Sequence, residues 1–225
     1  MELLFLTITN VLELSNPPQT QQAFWWYLIP VIIGIFITVV IIANIAEDTK
    51  NVVILGPKAS GKTTLWNQLR GLKTPNSHEN TSKEEIKSFS IKTKTGIERK
   101  ISTSYDIGGG DQWVADYDKL IKENKTFILF LIDLTNAEGK KSEVRARLLK
   151  IFKIIEDKKL EDCGIKILGT FHDKYRVSYT DNADTYLKET IDLNSISNKL
   201  KNIEIMSVNL LDISDVEKIK QEVSK

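Results

Sequence analysis

The sequence has little cysteine and almost no net charge, and each shortage excludes a class of protein. Cys163 is the single cysteine among 225 residues, so no disulfide can form within the chain and no disulfide-linked partner is expected. A lone thiol is typical of a buried residue in a reducing compartment, and no Cys/His cluster has the spacing of a zinc site. Lys and Arg total 31 against 30 Asp and Glu, and a net charge of +1 gives no reason to expect nucleic-acid binding. Function must therefore be sought in local motifs.

Charged residues are also scarce at the start of the chain. Residues 1–23 contain no lysine or arginine, which argues against a cleavable signal peptide. Residues 24–46 carry no charge at all and read FWWYLIPVIIGIFITVVIIANIA. A helix of that length covers roughly 34 Å, against about 30 Å of membrane hydrocarbon. A buried soluble helix is the alternative, but such a helix normally has a polar stripe, so we predict a transmembrane helix over residues 24–46.

The flanks of this segment predict its orientation. Two glutamates are the only charges before it, whereas Lys50 and Lys58 follow it, and positive charge favours the cytosolic side. We expect residues 1–23 outside the cytosol and a domain over residues 50–225 inside it. The chain would then be a single-pass protein of an endoplasmic-reticulum-type membrane in a eukaryote, or of the inner membrane in a bacterium.

A phosphate-binding motif follows this segment. Residues 51–55, NVVIL, read as a buried strand, and GPKASGKT over residues 56–63 matches G-x-x-x-x-G-K-[ST]. Backbone N–H groups of such a loop bind phosphate, Lys62 reaches the β and γ oxygens, and Thr63 supplies a hydroxyl to Mg²⁺. A glycine turn with an ordinary surface lysine is the alternative. The residues predicted to contact the nucleotide are Gly56, Lys58, Ala59, Ser60, Gly61, Lys62, Thr63 and Thr64.

A second motif indicates the class of P-loop protein. Residues 101–107 read as a strand ending in DIGG, with Asp106 44 residues after Lys62. With this D-x-x-G motif the chain resembles the Ras-like small GTPases and, among them, the Arf family and the signal recognition particle receptor beta subunit. The resemblance implies an α/β P-loop domain with a doubly wound, mostly parallel six-stranded sheet, and GTP or GDP with Mg²⁺ as cofactors. It also implies that Asp106 helps to hold Mg²⁺ and that the Gly109 N–H meets the γ-phosphate.

The base-recognition motif departs from the family pattern. A buried strand leads into TFHD, residues 170–173, where the family has N-K-x-D. The resemblance implies that Asp173 accepts the guanine N1 and N2 hydrogens, while Thr170 replaces the asparagine and Phe171 the lysine. A helix cap is the alternative role for Asp173. Ser207 stands where the last family loop is expected, and either contacts the base or only serves the turn.

The residues needed for hydrolysis are incomplete. The family's water-positioning glutamine follows D-x-x-G, and that position holds Gly110. Gln112 is the candidate catalytic replacement, unless it is a plain loop residue. The region expected to form switch I, residues 72–85, contains no arginine, and Thr81, better spaced than Thr74, is expected to close over Mg²⁺. We therefore expect slow intrinsic turnover that a partner accelerates, or permanent GTP occupancy.

The remaining segments fit the same fold. Residues 86–92 and 97–107 predict a hairpin around Thr95-Gly96, and residues 126–133 predict a central buried strand. Helices are predicted over residues 140–157, 182–200 and 213–224. In such β/α alternation, ligands bind at the carboxyl ends of the strands.

Three functions remain open at this point. The first is a membrane-anchored regulatory GTPase that recruits a cytosolic effector or receptor subunit when loaded. The second is an ATP-using P-loop enzyme, which is disfavoured because the remaining length holds no separate lid or acceptor domain. The third is a nucleotide-bound membrane scaffold that never hydrolyses, which Gly110 favours.

Overall fold

The computed structural model describes residues 28–38, 49–74, 82–122, 126–160, 162–178, 182–197 and 203–225. The chain separates into two compact units, Met1–Asp48 and Thr49–Lys225. In the first unit, residues 28–38 form a helix with exposed large apolar side chains. Across the described ranges, no helix has both the length and the apolar character needed to cross a membrane. Residues 1–23, and the parts of the predicted span 24–46 on either side of this helix, lie outside the described residues.

The second unit alternates strands and helices. Its strands are β1 (Thr49–Leu55), β2 (Lys83–Ile86), β3 (Phe89–Lys92), β4 (Glu98–Ile101), β5 (Ser104–Ile107), β6 (Thr126–Asp133), β7 (Gly164–Thr170) and β8 (Glu204–Ser207). Its helices are α1 (Lys62–Arg70), α2 (Tyr117–Leu120), α3 (Lys141–Asp157), α4 (His172–Ser178), α5 (Ala183–Thr190), α6 (Leu193–Ser197) and α7 (Ile213–Ser224). Two 3₁₀ helices cover Asp111–Asp116 and Leu134–Asn136.

Six of the strands form one sheet, in the order β3-β4-β1-β6-β7-β8. β3 and β4 are antiparallel, and the other neighbouring pairs are parallel. The prediction of an α/β fold with a mostly parallel, six-stranded sheet is therefore confirmed. Leu55 is paired with Phe130, Asp133 with Thr170, and β8 ends beside the end of β7. The carboxyl ends of these four strands consequently lie along one edge of the sheet.

Both faces of the sheet are covered, as expected for parallel strands. Along β1, Val53 and Leu55 belong to the apolar cluster on the α3 side, whereas Val52 and Ile54 belong to the cluster that contains residues of α1 and α7. Burying each such side chain contributes about 1.5–3 kcal/mol. The P-loop therefore extends from a strand that is fixed on both sides.

The predicted strand 97–107 is two strands. Its first half, β4, forms the predicted hairpin with β3, and Gly96 lies in the turn with φ of +86°. Its second half, β5, instead pairs antiparallel with β2 in a separate two-stranded sheet. At the junction the Ser104 hydroxyl donates to the Val52 carbonyl at 2.9 Å, a side-chain contact that fastens β5 to β1. The chain thus changes pairing partner between β4 and β5, and Asp106 on β5 contacts Thr63 of the P-loop motif.

The predicted helix 182–200 is likewise interrupted. It consists of α5 and α6, separated by Asp192 with φ of +50°. A residue in the left-handed region ends a helix because the following backbone leaves the helical path. Residues 198–200 lie outside the described residues. Helices α3 and α7 agree with their predicted ranges.

Candidate nucleotide-binding site

The P-loop connects the end of β1 to the start of α1. Ala59 and Gly61 have φ of +63° and +90°, the left-handed geometry in which successive backbone N–H groups can face one concavity. At Gly61 a side chain is strained whatever the space, and a Cβ would lie 2.8 Å from Leu210 Cδ1. The buried Ser60 hydroxyl donates to the Pro57 carbonyl at 2.9 Å and fixes the loop from inside. The predicted glycine positions are thus demanded by the backbone.

Lys62 is held inside this loop. Its ammonium donates to the carbonyls of Pro57 at 2.8 Å and Gly56 at 3.1 Å, and the residue is only 6% exposed. Burial lowers the pKa of Lys62 to about 8, although nearby Asp106 opposes the shift. A phosphate oxygen is a stronger acceptor than a carbonyl, so the lysine is positioned to bind phosphate.

Helix α1 directs its N-terminus into the same loop. Thr63 and Thr64 are half-buried in its first turn, which contains no acidic residue to compensate the positive end of the helix dipole. Leu65 and Trp66 are fully buried against the sheet and fix the direction of the helix. This combination of loop and helix terminus is suited to an anion.

A hydroxyl and a carboxylate form the adjoining polar pair. Thr63 Oγ1 donates to Asp106 Oδ2 at 2.6 Å. Asp106 is 1% exposed, and within the described part of the chain its Oδ1 has no hydrogen-bond partner. Burial raises the pKa of this carboxyl, opposed by the Thr63 hydrogen bond and by Lys62. A hydroxyl beside a carboxylate that keeps one oxygen unpaired is a set of hard oxygen ligands that fits Mg²⁺.

Thr81 and Thr74 are the two candidates for the switch I threonine. Thr81 lies outside the described residues. Thr74, the alternative, accepts a hydrogen bond from Gln68 Nε2 at 3.2 Å, at the far end of α1 from the P-loop. Thr74 is therefore directed away from Thr63 and Asp106, and the role of Thr81 at Mg²⁺ remains a prediction.

Residues 106–113, here called switch II, are docked on the P-loop. At Gly109 a Cβ would overlap the backbone of Pro57 and Lys58, so only glycine permits this approach. The residue is buried, and its neighbour Gly108 donates its N–H to the Ser82 carbonyl at 2.9 Å. The structure therefore places Gly109 directly beside the phosphate loop.

The Gln112 side chain lies over Gly110, the position at which the family carries glutamine. Its Oε1 lies 2.5 Å, and its Nε2 3.2 Å, from the place that a Cβ of Gly110 would occupy. Gln112 belongs to the 3₁₀ helix Asp111–Asp116 and is exposed. The absence of a side chain at Gly110 is what leaves room for this amide.

The residues predicted to read the base are spread over three elements. Thr170 is fully buried at the end of β7, with its hydroxyl 3.1 Å from the Ser60 carbonyl, so it supports the P-loop from below. Asp173 is exposed in the first turn of α4, and Phe171 before it has φ of +59°. The hydroxyl and N–H of Ser207 both donate to the Asp184 carboxylate on α5. The roles of Thr170, Asp173 and Ser207 in base recognition remain predictions.

Two cations on the α3 side of the P-loop were not expected from the sequence. Lys140 Nζ donates to the Lys58 carbonyl at 2.6 Å, and Arg147 Nη2 donates to the Gly109 carbonyl at 2.8 Å. Arg147 had one recognisable signal, since it interrupts the apolar stripe formed by Val144 and Leu148 on α3. A charge in a buried stripe needs partners, and here the partners belong to the site.

Comparison with known proteins agrees with this geometry. The model of the ADP-ribosylation factor (Arf) family matches residues 38–224. No curated protein sequence matches the chain. Among solved structures, the Arl6 BBS3 small GTPase from Trypanosoma brucei with bound nucleotide analogue GppNp is similar, with 18% identity and a TM-score of 0.54 over 78% of this chain and 97% of that chain. That likeness shows a common fold. The family match spans most of the sequence, and the chain therefore belongs to the Arf family of small GTP-binding proteins.

Proposed function

We propose that this Arf-family protein is a membrane-anchored switch that binds GTP and GDP with Mg²⁺ and recruits a cytosolic partner when it carries GTP. The observation that carries the proposal is the convergence of two segments that are distant in sequence, the P-loop motif and switch II, at one edge of the sheet. Lys62 lies inside the P-loop, Thr63 is bonded to Asp106, and Gly109 is packed on the P-loop backbone. A γ-phosphate would contact both segments, and its loss would therefore release switch II from the P-loop.

The chain's own groups have distinct roles in this scheme. Lys62 would exchange its bonds to the Pro57 and Gly56 carbonyls for phosphate oxygens and neutralise their charge. Thr63 and Asp106 would hold Mg²⁺, which when bound neutralises the phosphates and orients them. The Gly109 N–H would distinguish GTP from GDP. Asp173 supports guanine as the base because it is an exposed carboxylate at the carboxyl edge of the sheet, able to accept two guanine N–H donors.

Hydrolysis is expected to be slow. Gly110 has no side chain with which to orient water, and the Gln112 amide that covers it comes from an exposed 3₁₀ helix. A partner that orders this helix would accelerate turnover. Single-turnover hydrolysis of GTP by the full chain tests this point: slow release of phosphate supports a switch, whereas none over many hours supports the alternative, a nucleotide-bound membrane scaffold.

Anchoring rests on the sequence of residues 24–46, which carries no charge, and on Lys50 and Lys58 after it. The exposed apolar side chains of the helix 28–38 are suited to lipid. The nucleotide-binding domain, residues 50–225, would then face the cytosol, where nucleotide and effector are found. We expect the full chain to remain in membranes during alkaline carbonate extraction, and a variant with lysine at Ile33 and Phe36 to be released, since charges in the membrane interior are costly. Release of the wild-type chain would refute the anchor.

A further inference from the structure

Arg147 is a buried arginine whose guanidinium joins three parts of the site. It lies on α3 and is 2% exposed. Its Nη2 donates to the Gly109 carbonyl at 2.8 Å and to Asp111 Oδ1 at 2.9 Å, and its Nη1 lies 3.4 Å from the Gly56 carbonyl. One side chain therefore contacts the beginning of the P-loop and both ends of the Gly109–Asp111 turn.

Two further groups orient this guanidinium. Glu143, one helical turn earlier on α3, lies 2.7 Å from Nη2, and the Tyr117 hydroxyl lies 3.2 Å from Nη1. The planar fork of arginine suits several simultaneous acceptors, whereas a lysine ammonium would reach fewer of them. These contacts fix the orientation of the guanidinium that donates to switch II.

Stability alone does not explain this arrangement. Burying a charge is unfavourable, and an apolar residue would continue the stripe formed by Val144 and Leu148. The Asp111 side chain is 91% exposed, so its ion pair with Arg147 is weakened by water and contributes little to folding. The contacts instead have a geometric role: they fix the carbonyl of Gly109 and the carboxylate of Asp111.

We infer that Arg147 is a positioning residue that clamps switch II onto the P-loop and thereby sets the preference for GTP over GDP. A carbonyl fixed on one side of Gly109 leaves the peptide N–H groups of the turn in one orientation, and a γ-phosphate meets donors that need not be ordered on binding. GDP has no group that reaches them. Asp111 provides the surface end of this clamp, where a partner that binds its exposed carboxylate could loosen it. The inference rests on the proposed binding of GTP and GDP.

The test compares nucleotide affinities of full-chain variants. Asp111→Asn removes the surface ion pair without touching the core, and Arg147→Lys keeps the charge but removes the fork. Arg145→Lys is the matched control, because Arg145 lies on the same helix and makes a comparable 3.1 Å ion pair with Asp192 away from the site. The dissociation constants of fluorescent GTP and GDP analogues are measured with Mg²⁺.

We expect the GTP dissociation constant to rise about fivefold in Asp111→Asn and more than about tenfold in Arg147→Lys, with GDP changed less than about twofold and the control unaffected. An equal loss of both nucleotides, or no change in Asp111→Asn and Arg147→Lys, would overturn the inference and leave Arg147 as a structural residue. If the wild-type chain bound neither nucleotide, the proposed function itself would fall, and the clamp with it.

Discussion

Thr63 Oγ1 and Asp106 Oδ2 lie 2.6 Å apart, although 43 positions of sequence separate the two residues. Thr63 is the second residue of α1, whereas Asp106 lies on β5, in the separate two-stranded sheet. This contact joins the phosphate loop to switch II. It also places two hard oxygen ligands where a metal ion bound to a nucleotide would lie.

We expect replacement of Asp106 to have opposite effects on the stability of the fold and on the binding of Mg²⁺. Burial raises the pKa of its carboxyl, so the fold disfavours the charged form of this side chain. That cost is fully present above the folded pKa, decreases as the pH falls below it, and is gone below the ordinary value of 3.8. We predict that Asp106→Asn leaves the melting temperature of the nucleotide-free protein unchanged or raises it, while Mg²⁺ no longer tightens nucleotide binding.

Thermal melting without nucleotide and titration with GDP in Mg²⁺ or in EDTA check both parts. Thr63→Ala provides the comparison for the metal, since it removes the hydroxyl ligand but keeps the carboxylate. A clear drop in melting temperature for Asp106→Asn, with Mg²⁺ dependence preserved, would contradict the assignment.

Because the pKa of Lys62 is lowered, we predict that nucleotide binding depends on pH. Its pKa is about 8 in the folded protein, lowered chiefly by burial, with Arg147 and Lys140 adding to the shift and Asp106 and Glu143 opposing it. The ordinary value of 10.5 applies to the unfolded chain, so nucleotide-free stability should rise with pH between these two values. Phosphate favours the charged lysine, and binding above about pH 8 should therefore take up a proton.

Calorimetric titration of GDP in buffers of different ionisation enthalpy measures this uptake directly. We expect nearly no uptake at pH 6.5 and close to one proton at pH 9, with affinity falling by up to about tenfold per pH unit above pH 8. Affinity that stays constant over this range would mean that Lys62 does not bind the phosphates.

The sequence was most informative where function depends on neighbouring residues. GPKASGKT and DIGG each combine a strand end, a turn that needs glycine, and the functional side chain within a few positions, so the phosphate site could be predicted. The interrupted apolar stripe on α3 marks Arg147 as unusual, but its contacts with Gly109 and Asp111 could not be predicted because they depend on how α3 packs beside switch II. The break between β4 and β5 also depends on tertiary contacts, so the sequence does not show it. It arises because the chain changes partners from β3 to β2, and each half has the same strand-like composition.

We predict that the Gln112 amide supports a slow hydrolysis of GTP and that the rate depends on the space left by Gly110. With Oε1 2.5 Å from the position of a Cβ there, an alanine at residue 110 would push the amide away. We predict that Gln112→Ala and Gly110→Ala each slow single-turnover hydrolysis about tenfold, which corresponds to the loss of one hydrogen bond to the attacking water. GTP affinity should change little in either variant.

Phosphate release after GTP loading measures these rates. Gln68→Ala, at an amide that bonds Thr74 away from the site, controls for the loss of a glutamine. Hydrolysis at the wild-type rate in both test variants would exclude Gln112 from catalysis.

Guanine selectivity tests the central claim most directly. A fluorescent GDP analogue is bound to the full chain with Mg²⁺ and displaced by GTP, GDP and ATP, in the wild type and in Asp173→Asn. We predict that guanine nucleotides displace it at least about a hundredfold better than ATP, because a site built to accept guanine N–H donors leaves its carboxylate unpaired with adenine, and that Asp173→Asn abolishes most of this difference. Equal displacement by ATP would contradict the small-GTPase function and leave only a P-loop that binds phosphate.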